Sequence, residues 1–247
     1  MTSVNLTELF SRCFELKNGT ELILHQSAVG DVGCVVWDAA IVLCSYFVKC
    51  AGLKQGQLYV DSLDFQGKSM LDLGSGTGAV GLVTACLGAR AIVTDLPDFV
   101  PLMQYNITEN KGKFTGSCSA EPLRWGDREQ MSFLKQSDFP HGADFIVLAD
   151  CVYYEESLES LVETILYFSS ERTHVYCSFE ERDMGNKPEL QQKFFQMMRT
   201  QFDITKVPLS AQDPDYSSAD IHVLHCVLKT SLCHVVFLNR IGNCYYK

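Results

Sequence analysis

The residues of this chain best suited to chemistry lie in three short stretches. In Leu71-Asp72-Leu73-Gly74-Ser75-Gly76-Thr77-Gly78, alternating glycines follow an apolar run, and an aspartate stands just ahead of them. Glycine has no Cβ, so such a turn bends tightly and lets a nucleotide-like ligand approach the backbone. Asp95 closes the next apolar run, where its carboxylate can accept hydrogen bonds from both hydroxyls of a ribose. The third stretch, Asp150-Cys151-Val152-Tyr153-Tyr154, follows the apolar run Phe145 to Ala149. A carboxylate followed three residues later by a tyrosine can hold an amine, because the carboxylate offsets positive charge and the ring adds cation-π attraction.

Asp72 narrows the ligand. A turn that binds a pyrophosphate has an apolar residue there and avoids a second negative charge beside the phosphates. S-adenosylmethionine has no phosphate and carries a sulfonium and an ammonium, so an acidic approach favours it. The glycines also fit the dinucleotide spacing only as Gly76, Gly78 and Gly81, late in the turn. The sequence therefore assigns Asp72, Gly74, Ser75, Gly76, Asp95 and its neighbour Leu96 to S-adenosylmethionine, which leaves as S-adenosylhomocysteine. Asp150 and Tyr153 are assigned to the acceptor. Methyl transfer to an amine needs the neutral lone pair in line with the methyl group, so alignment and proton loss to water matter more than a strong base. Plainer readings stay open: Asp72 bonded only to local amides, Asp150 capping a helix that enters at Glu155 with Tyr153 in the core, and Tyr154 either in the cleft or in packing.

The elements that position these residues alternate short β-rich runs with amphipathic helical runs, the pattern of a parallel sheet with crossover helices. Strands are predicted over Ser69 to Leu73, Ala91 to Thr94, Ser117 to Leu123 (weaker), Asp144 to Ala149 and His174 to Phe179. Phe202 to Val207 and Ile221 to Leu228 are a closing pair. Helices are predicted over Ala79 to Leu87, capped by Gly88, and over Asp98 to Asn110, Ser157 to Phe168 and Pro188 to Thr200. Cys34 to Val48 reads as a buried helix after a short loop. Cys13 to Leu16 and Leu22 to His25 flank Asn18-Gly19, a hairpin signal. The tail from Thr230 to Lys247 has no clear periodicity.

The bulk properties fit one globular α/β domain over residues 1–247: 47% of the 247 residues are hydrophobic and 20% charged. Within it, residues 1–50 hold the hairpin and helix, 60–228 the cofactor-binding core and 229–247 the tail. A formal net charge of -10 argues against a broad grip on a nucleic-acid backbone. The eleven cysteines are scattered, with no Cys-x-x-Cys pair and no metal-like spacing. They are expected to be reduced, mostly buried thiols, and no metal is expected. The first residues lack the basic and apolar regions of a secretory signal, and the longest apolar stretch is shorter than a membrane span and contains Asp38. The expectation is a cytoplasmic protein without membrane contact. Asn-x-Thr triplets at Asn5 and Asn106 are then chance matches.

Taken together, Val32-Gly33-Cys34-Val35-Val36-Trp37-Asp38-Ala39-Ala40, LDLGSGTGAVGL, Val-Thr-Asp-Leu ending at Leu96, and ADCVYYEESLE resemble the seven-strand protein-lysine methyltransferases with an Asp-x-x-Tyr signature. The resemblance covers roughly Cys13 to Cys226. It implies a Rossmann-like sheet of seven strands, mostly parallel with the last strand antiparallel, helices on both faces and an N-terminal hairpin. It also implies that Trp37, Gly74, Ser75, Gly76, Asp95, Trp125 and Ala149 contact S-adenosylmethionine and that Asp150 and Tyr153 frame a target lysine. The implied partner is a folded protein, and within the group the resemblance points to valosin-containing protein, a hexameric AAA ATPase. Histidine, arginine, an N-terminal amine or a small metabolite are other acceptors, and a cofactor-binding adaptor without turnover is a different class. A nucleobase amine is disfavoured because Cys151 and Val152 stand where Asp/Asn-Pro-Pro-Tyr enzymes have prolines. The stretch Val227 to Lys247 departs from the family pattern.

Overall fold

The computed structural model describes residues 6, 8–28, 32–51, 63–183 and 185–229. Strands β1 (Leu9–Glu15) and β2 (Glu21–Ser27) pair antiparallel, with Glu15 opposite Glu21. Their turn closes through Leu16 N–H to Thr20 O at 2.8 Å, and Gly19 takes φ +80°, the left-handed backbone that the Asn18-Gly19 signal anticipates. The hairpin is longer than the sequence indicates, reaching back to Leu9 and on to Ser27.

Seven further strands form one sheet: β3 (Ser69–Leu73), β4 (Arg90–Asp95), β5 (Ser117–Pro122), β6 (Phe145–Ala149), β7 (His174–Glu180), β8 (Phe202–Lys206) and β9 (Ile221–Leu228). Their order is β5-β4-β3-β6-β7-β9-β8. The pairs from β5 to β7 are parallel, while β9 runs antiparallel to both β7 and β8. This is the sheet that the sequence and the family resemblance imply, with the last strand reversed.

The central strands read as unbroken apolar runs because both faces are covered, and successive side chains point to opposite faces. Along β6, Phe145 and Val147 join one core, and Ile146 and Leu148 join the other. Helices α1 (Asp38–Ala51) and α2 (Ala79–Cys86) pack on the first face with α3 (Val100–Asn110), whose Met103 sits against Val93. Helices α4 (Arg128–Ser137), α5 (Leu158–Phe168) and α6 (Lys187–Gln201) cover the second.

Three elements differ from expectation. Helix α1 begins at Asp38, because Cys34 still belongs to the 3-10 turn Val32–Cys34. Helix α3 begins at Val100, not Asp98, because Pro97 and Asp98 belong to the turn leaving β4 and Phe99 is the N-cap. Helix α4 is an element the sequence reading lacks altogether. It buries only Met131 and Leu134 in a mostly polar stretch, and it starts where the Asp127 carboxylate accepts the N–H groups of Glu129 and Gln130 at 3.1 Å each. The expected tail over 230–247 lies outside the described residues, as does the Asn5 triplet. Asn106 is fully buried and cannot carry a glycan: its side chain bonds the N–H and C=O of His25 and the carbonyl of Thr77. The hairpin is thereby tied through α3 to the glycine turn.

Candidate active site

The carboxyl ends of β3, β4 and β6 open onto one cleft beside the chain between the hairpin and α1. Ligands of open parallel sheets sit in this place. Trp37, Asp72, Gly74, Ser75, Gly76, Asp95, Ala149, Asp150 and Tyr153 all line it. Leu96 and Trp125, assigned to the cofactor from sequence, lie outside that lining. Leu96 packs against Cys34, Phe99 and Leu102 and gives its N–H to Asp95 Oδ1 at 2.7 Å. Trp125 packs behind the turn, where a Cβ on Gly74 would come 2.9 Å from its ring and 2.9 Å from Cys151 Sγ.

The turn is held from both sides. Ser75 N–H reaches Thr94 O at 2.9 Å, Thr94 N–H reaches the Ser75 hydroxyl at 3.0 Å, and that hydroxyl donates to Asp72 O. The Ser75 side chain thus acts as a crosspiece between β3 and β4. Gly76 has φ +56°, and a Cβ there would lie 2.6 Å from Gly33 O, so backbone meets backbone at a distance that only glycine permits. Its N–H is taken by Asp95 Oδ2 at 2.8 Å.

Asp72 is buried, and its Oδ2 accepts the Gly81 N–H at 3.0 Å in the first turn of α2. The protein's own carboxylate therefore occupies the helix N-terminus that a pyrophosphate takes in dinucleotide sites. Burial, with a smaller push from the Asp95 charge, raises its pKa to about 7 against the lowering effect of the Gly81 amide and the Ser75 hydroxyl. The described lining of the cleft carries Asp72, Asp95 and Asp150 and no lysine, arginine or histidine. Such a site suits a cationic ligand without phosphate.

Asp150 has φ +55°, the only positive φ of a non-glycine among the described residues. Aspartate tolerates this conformation better than most residues, and outliers of this kind concentrate at functional sites. Its N–H still continues the β6–β7 ladder to Ser178 O at 2.9 Å. Its carboxylate accepts the Glu180 N–H at 3.1 Å and Arg182 Nη2 at 3.0 Å. Burial raises the Asp150 pKa, while the Glu180 amide and the Arg182 charge pull it back. Asp150 does not cap the following helix: the turn at Glu155–Ser157 has Tyr154 at its N-cap and no side-chain cap. Tyr153 is half-buried in the cleft, and its ring meets the exposed Tyr154 edge to face at 4.7 Å. Cys151 is buried, its thiol donating to Leu73 O at 3.2 Å.

Arg182 is the residue that sequence reading missed. It follows β7, the neighbour of β6, so the rule that sites gather at carboxyl ends of adjacent strands marks its position. Only the fold shows that its side chain turns back onto Asp150.

A glycine turn on β3, an acidic end on β4 and a carboxylate-tyrosine pair after β6 define the Rossmann-like methyltransferase class. Solved structures agree on the fold: the T. Thermophilus 16S rRNA N2 G1207 methyltransferase RsmC superposes with a TM-score of 0.54 at 16% identity, over 90% of this chain and 51% of that one. The lysine methyltransferase family model matches residues 16–201. EEF1A lysine methyltransferase 3 of Xenopus tropicalis is 34% identical over 166 residues, 66% of each chain. The protein N-lysine methyltransferase METTL21A of Danio rerio is 33% identical over 207 residues, 81% of this chain and 79% of the relative. The chain belongs to the lysine methyltransferase family, and it is an S-adenosylmethionine-dependent protein-lysine methyltransferase.

Proposed function

We propose that this enzyme methylates a lysine side chain on the folded AAA ATPase valosin-containing protein, with S-adenosylmethionine in the cleft at the carboxyl ends of β3 and β4. The observation that carries the site is the shared lining: the glycine turn, Asp95, Asp150 and Tyr153 face one cleft whose lining includes three aspartates, with Arg182 paired to Asp150 at the rim. The residues fit the cofactor. Asp95, oriented by the amides of Gly76 and Leu96, suits a ribose diol, and Asp72 suits the positive charge of the methionine portion. When bound, S-adenosylmethionine supplies an electrophilic methyl group on a sulfonium.

The chain's own residues act on the acceptor. Asp150 binds the target as an ammonium, and the Tyr153 ring flanks it. The ammonium then loses its proton to water, and the same pair holds the neutral amine in line, which is worth more than strong basicity for this step. Exposed Asp38, Glu155, Glu156 and Asp183 adjoin Trp37, Tyr153 and Arg182 in sequence and favour approach of a cationic segment. Valosin-containing protein is supported by the likeness of the segments around Trp37 and Asp150 to the enzyme that acts on it. A cytosolic location is supported by the nine described cysteines, all free thiols.

Incubation with methyl-labelled S-adenosylmethionine and the purified ATPase hexamer, followed by mass spectrometric mapping, tests this. One labelled lysine on the ATPase is the expected result. Label on lysines of other proteins but never on the ATPase would remove the partner and keep the chemistry, and label only on non-lysine acceptors would remove the acceptor assignment.

A further inference from the structure

Arg182 stands in the position of a ligand. Its Nη2 contacts Asp150 Oδ2 at 3.0 Å, and its guanidinium carbon lies 5.1 Å from the centroid of the Trp37 ring. A carboxylate and an aromatic face are the two features with which this cleft would hold a lysine ammonium. The arginine is also anchored elsewhere: Nε and Nη2 donate to Glu180 Oε2 at 3.1 and 2.9 Å. Letting go of Asp150 therefore leaves the guanidinium tethered at the rim. The two partners differ in exposure, the Arg182 side chain being 33% exposed and that of Asp150 10%, so the arginine is the member of the pair that faces solvent.

We propose that Arg182 sets acceptor selection by competing with the target lysine for Asp150: the guanidinium and the incoming ammonium exchange on one carboxylate oxygen, with Glu180 holding the displaced arginine. The proposal rests on the lysine reading of the site. An exchange of this kind keeps the buried carboxylate paired with a cation from before acceptor entry until the ammonium gives up its proton, which matters because an unpaired buried charge is costly. It also sets a threshold, since an uncharged acceptor group cannot displace the guanidinium. Removing the competitor raises apparent affinity by the reciprocal of the fraction of molecules in which Oδ2 is available.

The test uses the whole protein with fluorotryptophan at both tryptophans, Trp37 and Trp125, titrated with n-butylammonium, the lysine side chain without its backbone, and followed by fluorine NMR. In the wild type, butylammonium should shift the Trp37 signal saturably. In Arg182→Gln that signal should start displaced and butylammonium should bind about three- to tenfold more tightly, while Asp150→Asn should abolish the response. Equal affinity in wild type and Arg182→Gln overturns the exchange. If Arg182→Gln does not fold, Arg182→Met, which keeps a long aliphatic stem and removes the charge, must still raise butylammonium affinity; no change overturns the proposal. In turnover with the lysine-bearing protein, Arg182→Gln should lower the acceptor KM more than it alters kcat, and a raised acceptor KM contradicts the exchange. A wild type that binds butylammonium competitively with Arg182 yet methylates no lysine leaves the exchange standing and defeats the acceptor assignment instead.

Discussion

Gly76 donates its N–H to Asp95 Oδ2 at 2.8 Å, joining the glycine turn after β3 to the acidic end of β4. The two features that a nucleoside ligand needs, an approachable backbone and a carboxylate for its ribose, are thus one hydrogen-bonded unit. Asp95→Ala removes both the carboxylate and the tether of the turn. Cofactor affinity, measured by calorimetry, should fall about ten- to a hundredfold, the range for loss of charged hydrogen bonds. Affinity within about twofold of wild type would move the ribose away from Asp95.

Asp150 should separate chemistry from cofactor binding. Asp150→Asn keeps a residue tolerant of φ +55° and should lower kcat/KM for the protein acceptor by about a hundredfold or more, with cofactor affinity nearly unchanged. Asp150→Ala should lose turnover equally and in addition cost about 1 kcal/mol of stability from the left-handed backbone. Chemical denaturation separates these two effects.

Asp72 makes stability depend on pH in a direction opposite to most carboxylates. Its pKa in the folded state is raised to about 7 from an ordinary value of 3.8, so the folded protein holds a proton that the unfolded chain has released. The stabilisation is fully present below the ordinary value and is lost as pH rises through about 7. Urea midpoints compared between about pH 5 and about pH 8 should show this decline, and Asp72→Asn should flatten it. A slope in Asp72→Asn equal to that of the wild type would assign the pH dependence to another group.

Asn106 should prove a structural keystone of the cleft rather than a surface residue. Its buried amide serves the backbone of His25 in β2 and the carbonyl of Thr77 in the glycine turn. Asn106→Ala strands these groups and should cost about 3 kcal/mol, lowering Tm by roughly 6–12 °C. Calorimetric unfolding checks it; a Tm within a degree or two of wild type would mean that water replaces the amide at no cost.

The legible parts of this fold are those whose burial leaves a pattern. Strands β3, β4 and β6 are covered on both faces and stand out as apolar runs, each ending at a residue of the cleft. Helix α4 escaped because it buries only two side chains in a mostly polar stretch, which reads as a loop, although Asp127 and Gln130 flag its start. Asp95 and Asp150 are legible because strand ends are. Arg182 is not, since its contact with Asp150 depends on where a side chain turns after β7, and no spacing rule encodes that. Trp125 is intermediate: the family likeness points to the cofactor, and the ring lies beside Gly74 outside the described lining of the cleft.

The most direct measurement is a crystal structure with S-adenosylhomocysteine and a lysine-bearing substrate peptide. The expected complex has the ribose hydroxyls on Asp95, the methionine ammonium on the Asp72 side, and the sulfur facing a channel in which the lysine Nζ lies between Asp150 and Tyr153. A ligand with its sulfur turned away from Asp150, or a lysine entering elsewhere, would contradict it.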